Sequence, residues 1–226
     1  MAGQGGVVWA SDKGMIKGLI VDWGGVLTGS MFDPFEAWAA EDGIDYPHYQ
    51  SVLAQLLGGD LPSEHLNPIH ALERGELANP EFERLLAKRL RRSDGAPVEH
   101  EGMLARMFSK LQHAPDMNAL VRRAHGLGIR TALLSNSWGN DYPRELWDEM
   151  FDAVLISGEI GLRKPEPEIY LLAAQRLGLT ASECVFVDDL ATNIRGAVAV
   201  GMIGVHHKTY ESTLLELEAI LSVSLS

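Results

Sequence analysis

The stretch from Lys17 to Thr28, KGLIVDWGGVLT, constrains the fold more than any other part of the chain. Leu19, Ile20 and Val21 run without a polar break, so the segment reads as a strand buried on both faces, as in parallel sheets. Asp22 follows at once, and Gly24-Gly25 turns the backbone. An acid at the carboxyl end of such a strand stands where open α/β sheets place their ligands. The glycines let the backbone turn sharply and come close to a bound group. An Asp that merely caps the turn would look the same in isolation, and the other strand ends separate the two readings.

Those ends lie further on. From Asp116 the chain alternates helix and strand: a helix from Asp116 to Gly128, a strand over Ile129–Leu134 ending in Ser135-Asn136-Ser137, and a helical piece around Arg144–Met150. Next come a strand over Ala153–Ile156, a helix over Pro167–Leu177, a strand over Cys184–Val187 ending in Asp188-Asp189, and a helix over Thr192–Val200. A short strand at Ile203–Val205 and an amphipathic helix from Tyr210 to Leu221 close the series. Such alternation predicts a Rossmann-like α/β fold, a parallel sheet with helices on both faces. Residues 31–114 read differently. Helical periodicity at Gln50–Leu57 (stopped by Gly58-Gly59), Ser63–Arg74, Asn79 to about Arg92 and Glu99–Leu111 predicts an all-helical insertion after the first strand, with Asn79-Pro80 as a helix start. The expected division is a core of residues 1–30 and 115–226 and a helical cap of residues 31–114.

Composition narrows the chemistry. The chain has 226 residues and a formal net charge of −12, which argues against nucleic acid as a partner, since phosphate backbones are met by basic faces. Cys184 is the one cysteine; beside Val185-Phe-Val187 it reads as a buried inert thiol, and neither a disulfide nor a cysteine zinc site follows. No apolar run approaches a membrane span. Residues 1–14 lack the pattern of a secretory signal and read as a loose lead-in, so a cytoplasmic location is expected. Oligomeric state is not legible.

In a parallel sheet all carboxyl ends share one edge. That edge collects Asp22, Ser135, Asn136, Asp188 and Asp189, with Lys164 in the loop after the third strand. Crowded carboxylates repel unless a cation sits among them. An oxygen-only set without His or Cys suits Mg²⁺, which brings an anionic phosphate beside an anionic acid. Asp22 can then attack phosphorus, while Ser135, Asn136, the N–H groups of the Gly24-Gly25 turn and Lys164 hold phosphoryl oxygens. A small phosphorylated compound is the expected substrate.

These residues resemble the haloacid dehalogenase superfamily, in particular its phosphatases with a helical cap inserted after the first strand. The likeness covers residues from about 16 to 208. It rests on Asp22-Trp-Gly-Gly-Val26, on Thr131-Ala-Leu-Leu-Ser135 with Asn136, on Arg163-Lys-Pro-Glu-Pro167, and on Val185-Phe-Val-Asp-Asp-Leu-Ala-Thr-Asn193. The resemblance implies that Asp22 is the nucleophile, and that Asp22, the Gly24 carbonyl and Asp189 are the Mg²⁺ ligands. Lys164 and Ser135 would serve catalysis, and Gly25, Ser135, Asn136 and Lys164 phosphate binding. Asp188 would assist from behind, and Asn193 would orient Asp189 or a water. Residues 31–114 would close over the site.

One departure stands out. Family phosphatases usually carry a second Asp two residues after the nucleophile, which protonates the leaving alcohol; here that position is Gly24, as in family members that look like sugar-phosphate phosphatases, so the resemblance implies a small phosphorylated metabolite, with a sugar phosphate among the candidates. His70, Glu73 or Arg74 of the cap is expected to face the substrate in its stead. Trp23 and Trp138 are candidate pocket walls. The adjacent His206 and His207 point opposite ways on an extended segment and do not form a metal pair. Two rival readings stay open: a 2-haloacid dehalogenase, whose halide leaving group needs no proton, and a non-catalytic binder. Phosphonate hydrolysis through a Lys Schiff base is poorly served, as the cap offers only Lys88 and Lys110.

Overall fold

The computed structural model describes residues 15–57, 67–139, 141–145 and 147–226. The expected lead-in over 1–14, the Gly58-Gly59 stop and the start of the Ser63 helix lie outside these residues.

Five parallel strands form one sheet in the order β3-β2-β1-β4-β5. They are β1 (Gly18–Val21), β2 (Arg130–Ser135), β3 (Ala153–Ile156), β4 (Cys184–Asp188) and β5 (Ile203–His206). The strand with Asp22 at its end is thus central, flanked by the strands that end in Ser135 and Asp188. Register tightens this: Val21 pairs with Leu133 on one side and Val187 on the other.

Period-two alternation splits the strand residues between two apolar cores. Leu19, Val21, Leu133, Val185 and Val187 belong to one, against α6 (Pro115–Gly126) and α10 (Tyr210–Leu221). Ile20, Ala132, Leu134 and Phe186 belong to the other, against α8 (Pro167–Arg176) and α9 (Ala191–Ala199). Burial on both faces explains why the strands read as unbroken apolar runs. Cys184 sits wholly buried in this second core.

A third apolar cluster draws its buried members only from residues between Phe35 and Met107. It is built by α1 (Phe32–Glu41), α2 (Tyr46–Leu57), α3 (Pro68–Glu73), α4 (Asn79–Ala87) and α5 (Met103–Phe108).

The structure departs from the periodicity in several places. The α1 helix and the short α7 (Ser157–Ile160) carry no signal that the sequence reading used. Asn79 does not cap α4. The cap position is Ala78, and the Asn79 side chain instead donates to the Gly139 carbonyl, 3.0 Å away. The α4 helix ends at Ala87 rather than near Arg92. Beyond it the chain pairs antiparallel with the 43–45 segment, through Asp45 N–H to Arg91 O and Ser93 N–H to Gly43 O. The expected Glu99–Leu111 helix begins only at Met103. Gly102 stands before it at φ 68°, and the buried Glu83 carboxylate accepts the N–H groups of Gly102 and Leu104. The helical piece at 144–150 is a single 3₁₀ turn, Trp147–Glu149. Asp116 lies in the first turn of α6 rather than at its cap.

Among the described residues, no helix is long and apolar enough to cross a membrane.

Candidate active site

The β1 strand ends at Val21, and the Asp22 N–H still reaches the Val187 carbonyl at 2.9 Å. Asp22 is therefore fixed by the sheet itself. Its Oδ1 accepts from Trp23 N–H at 2.7 Å and lies 2.8 Å from Lys164 Nζ. The same ammonium stands 2.7 Å from Asp188 Oδ2 and 5.5 Å from the centre of the Phe186 ring. Lys164 is almost fully buried. Burial alone would push its proton off, but Asp188 and Asp22 outweigh that and hold it firmly charged.

Lys164 pairs with two of the three acids gathered here. Asp22, Asp188 and Asp189 each offer an oxygen such that all lie within 4.8 Å of one another. Burial pushes the Asp22 carboxyl well above its ordinary range, with Asp188 and Asp189 adding to the rise and Lys164 opposing it. Asp189 is pushed up to about 6, by burial and then by Asp188. Crowding of this kind is relieved by a cation. The all-oxygen donor set fits a hard divalent ion.

The supporting residues are not all disposed as the sequence suggests. Asp188 is committed: besides Lys164, it accepts from Leu190 N–H at 2.8 Å and from the Asn193 amide at 3.0 and 3.1 Å. Asn193 thus orients Asp188, not Asp189. The Asn136 amide clasps the backbone of Lys164, receiving its N–H at 2.8 Å and donating to its carbonyl at 3.0 Å. That makes Asn136 a positioner of the lysine. Gly25 N–H donates to Thr28 Oγ1 at 3.0 Å, so this amide is occupied within the turn. The glycine itself is required for another reason. It has φ 72°, and a Cβ there would fall 2.3 Å from Asp189 Oδ2. At Gly24 a Cβ would meet only Met31 Sδ, at 3.5 Å.

Ser135 Oγ lies 3.0 Å from the Tyr142 hydroxyl, and Tyr142 stands edge-on to Trp23 with ring centres 4.8 Å apart. The sequence reading missed Tyr142, which sits in a loop with no periodic signal. Proximity to Ser135 was the only available hint.

A cavity of about 610 Å³ opens above these groups, lined by Asp22, Ser135, Lys164 and Asp189 on the sheet side and by residues of α1, α2, α3 and α5 opposite. Trp23 and Trp138 both wall it. Of the three proposed substitutes for the missing acid, Glu73 and His70 line it and Arg74 does not. Glu73 is spoken for: one oxygen pairs with Arg163 Nε, and the other accepts from Trp138 Nε1 at 3.2 Å. Arg74 pairs with Glu166. His70 remains, and burial, then the nearby Arg163 and Arg74, push its pKa down, which favours the neutral ring. His206 and His207 are separate as expected, the first on the Asp189 carbonyl and the second on Thr213 Oγ1, both at 2.8 Å.

Fold and strand-end acids together define a hydrolase of the haloacid dehalogenase type, and comparison with known proteins agrees. Residues 16–201 match the haloacid dehalogenase-like hydrolase family, and the chain belongs to it. It is 30% identical over 231 residues to mouse acyl-CoA dehydrogenase family member 10, covering 98% of this chain and 21% of that protein. It is 34% identical over 110 residues to the sesquiterpene phosphatase astK of Aspergillus oryzae, covering 46% of this chain and 56% of the relative. The chain thus spans well under two thirds of these relatives' lengths. Among solved structures, a haloacid dehalogenase family enzyme of Bacteroides thetaiotaomicron, crystallised with magnesium and inorganic phosphate, superposes with a TM-score of 0.63 at 20% identity, covering 85% of this chain and 94% of that one.

Proposed function

We propose that the chain is a Mg²⁺-dependent phosphatase acting on a small phosphorylated compound through an aspartyl-phosphate on Asp22. The observation that carries this is the ratio of charges at the cavity floor, three carboxylates around one buried ammonium. A phosphatase relative and a structural neighbour crystallised with magnesium and phosphate support it.

Asp22, the Gly24 carbonyl and Asp189 would hold the ion. When bound, it neutralises phosphate charge and lets an anionic nucleophile approach. Asp22 attacks phosphorus; the P–O bond to the alcohol breaks, and the alkoxide takes a proton. Water then attacks the aspartyl-phosphate, returning Asp22 and releasing inorganic phosphate. Lys164 stays charged through both steps, set by Asp188 from one side and by Asn136 along its backbone, and Ser135 holds a phosphoryl oxygen. Residues 31–114 act as the cap, excluding water and choosing the substrate. With Gly24 in place of an acid, proton delivery to the leaving group falls to water, which slows alkyl esters more than aryl esters without preventing turnover.

The test is hydrolysis of para-nitrophenyl phosphate with Mg²⁺, with EDTA, and with Asp22→Asn. Metal-dependent turnover abolished by the substitution is expected. Absence of turnover with any divalent metal, coupled with release of chloride from 2-chloropropionate, would replace this reading with dehalogenation.

A further inference from the structure

Most of the cavity wall opposite Asp22 is apolar, and its main part is one helical stripe. Tyr46, Tyr49, Gln50, Leu53, Ala54 and Leu57 of α2 all line the cavity, at the i, i+3, i+4, i+7, i+8, i+11 spacing of one helix face. Phe35 of α1 and Phe108 of α5 extend the same wall. The α2 helix buries Val52, Leu56 and most of Tyr49 within the insert's own core. A helix face turned to water ordinarily carries polar side chains, yet here Leu57 is half exposed and Gln50 alone offers an amide.

We infer that the occupant of this wall is the alcohol part of the substrate, and that this alcohol is a hydrocarbon chain rather than a sugar. The inference rests on the phosphatase reading above and names its substrate class. A sugar buried here would take several hydroxyls out of water with few partners, each an unfavourable transfer. A hydrocarbon tail loses nothing and removes apolar wall from water. The groups that suit a phosphate head, Asp22, Lys164, Ser135 and Asp189, lie at the sheet end, and of the polar residues α3 adds to the lining, His70 and Glu73, the second is already paired with Arg163. The cavity is amphipathic in the same sense as an alkyl or isoprenoid phosphate, and its 610 Å³ lies within the usual size of ligand sites.

The experiment is a homologous series of butyl, hexyl, octyl and decyl phosphate, with glucose 6-phosphate for comparison and para-nitrophenyl phosphate as the reference for a working phosphatase. Tail contacts are made equally in ground and transition states, so they lower KM without raising kcat. The expected result is a KM that falls about two- to fourfold per added methylene until the cavity is filled, and a slope flattened by Leu53→Asn. Binding to Asp22→Asn, followed by the fluorescence of Trp23 and Trp138, should show the same slope without turnover. A flat series, or glucose 6-phosphate as the better substrate, overturns the inference while leaving the phosphatase reading intact. A flat series together with a dimer that Leu53→Asn dissociates would assign the stripe to a second copy of the chain, and also overturns it. Failure to hydrolyse para-nitrophenyl phosphate removes the phosphatase reading itself, and this inference with it.

Discussion

Two adjacent glycines do different work. At Gly25 the backbone is left-handed, and a Cβ would strike Asp189. Gly25→Ala therefore costs about 1–2 kcal/mol in conformation and displaces a proposed metal ligand; we expect at least a hundredfold loss of turnover and weakened Mg²⁺ binding by calorimetry. At Gly24 a side chain has room beside Met31, so Gly24→Asp should fold and return a proton donor to the place where family phosphatases have one. Rates on alkyl phosphates should rise by about a hundredfold, with little change on para-nitrophenyl phosphate, whose leaving group needs no proton. Equal effects on both substrates would refute the account of Gly24. The Tyr49 hydroxyl is buried with no hydrogen-bond partner among the described residues. Removing it in Tyr49→Phe should leave stability unchanged or raise it by about 1 kcal/mol in urea titration. At this scale the sequence revealed which residues meet, because strand ends in a parallel sheet must share an edge. It did not reveal which hydrogen bonds each makes. Asn136 and Asn193 looked like groups for phosphate and Asp189, yet their amides are spent on Lys164 and Asp188, a choice that spacing does not encode.

Among the elements, α3 ties the third apolar cluster to the residues around the sheet, as the Asn79 side chain of α4 also does through the Gly139 carbonyl. Glu73 at the end of α3 meets Arg163 and Trp138, Arg74 meets Glu166, and a Cβ on Gly75 would sit 2.5 Å from the Gly158 carbonyl. The contact bears directly on catalysis, since Arg163 precedes Lys164 in the chain. Glu73→Ala removes the close carboxylate partner of the largely buried Arg163 and leaves it, among the described residues, only Glu166, 4.0 Å away. It should cost about 3 kcal/mol in chemical denaturation and raise KM by freeing the wall that α3 supports. A Glu73→Ala/Arg163→Met double variant should recover most of the stability but not KM, which separates the charge penalty from the positioning role. The sheet elements were readable because burial on both faces writes continuous apolar runs. The insert was readable only in outline. Its helix ends are set by distant partners, such as Glu83 holding the start of α5 and the 43–45 segment pairing beyond α4, and local periodicity carries no trace of those.

Across the whole molecule, Cys184 offers a probe of the link between site and stability. It lies wholly buried in the central sheet, and burial, then Glu183, pushes its thiol up to about 11. A thiol reagent at pH 8 thus meets neither an accessible sulfur nor a thiolate in the folded chain, and labelling must await unfolding. Its neighbours in β4 run straight to Asp188, so a cation and phosphate bound at the strand ends stabilise the very sheet whose opening exposes the sulfur. Ligands that bind only the folded state add about 2.7 kcal/mol at a hundred times Kd, which slows labelling by about a hundredfold when reclosing outpaces the reagent. Mg²⁺ with inorganic phosphate should give that protection, and Asp189→Asn should abolish it. Chloride or 2-chloropropionate without metal should give none. Protection by the haloacid but not by Mg²⁺ and phosphate would move the chain from the phosphatases to the dehalogenases of its family, with no need to find a turnover substrate first.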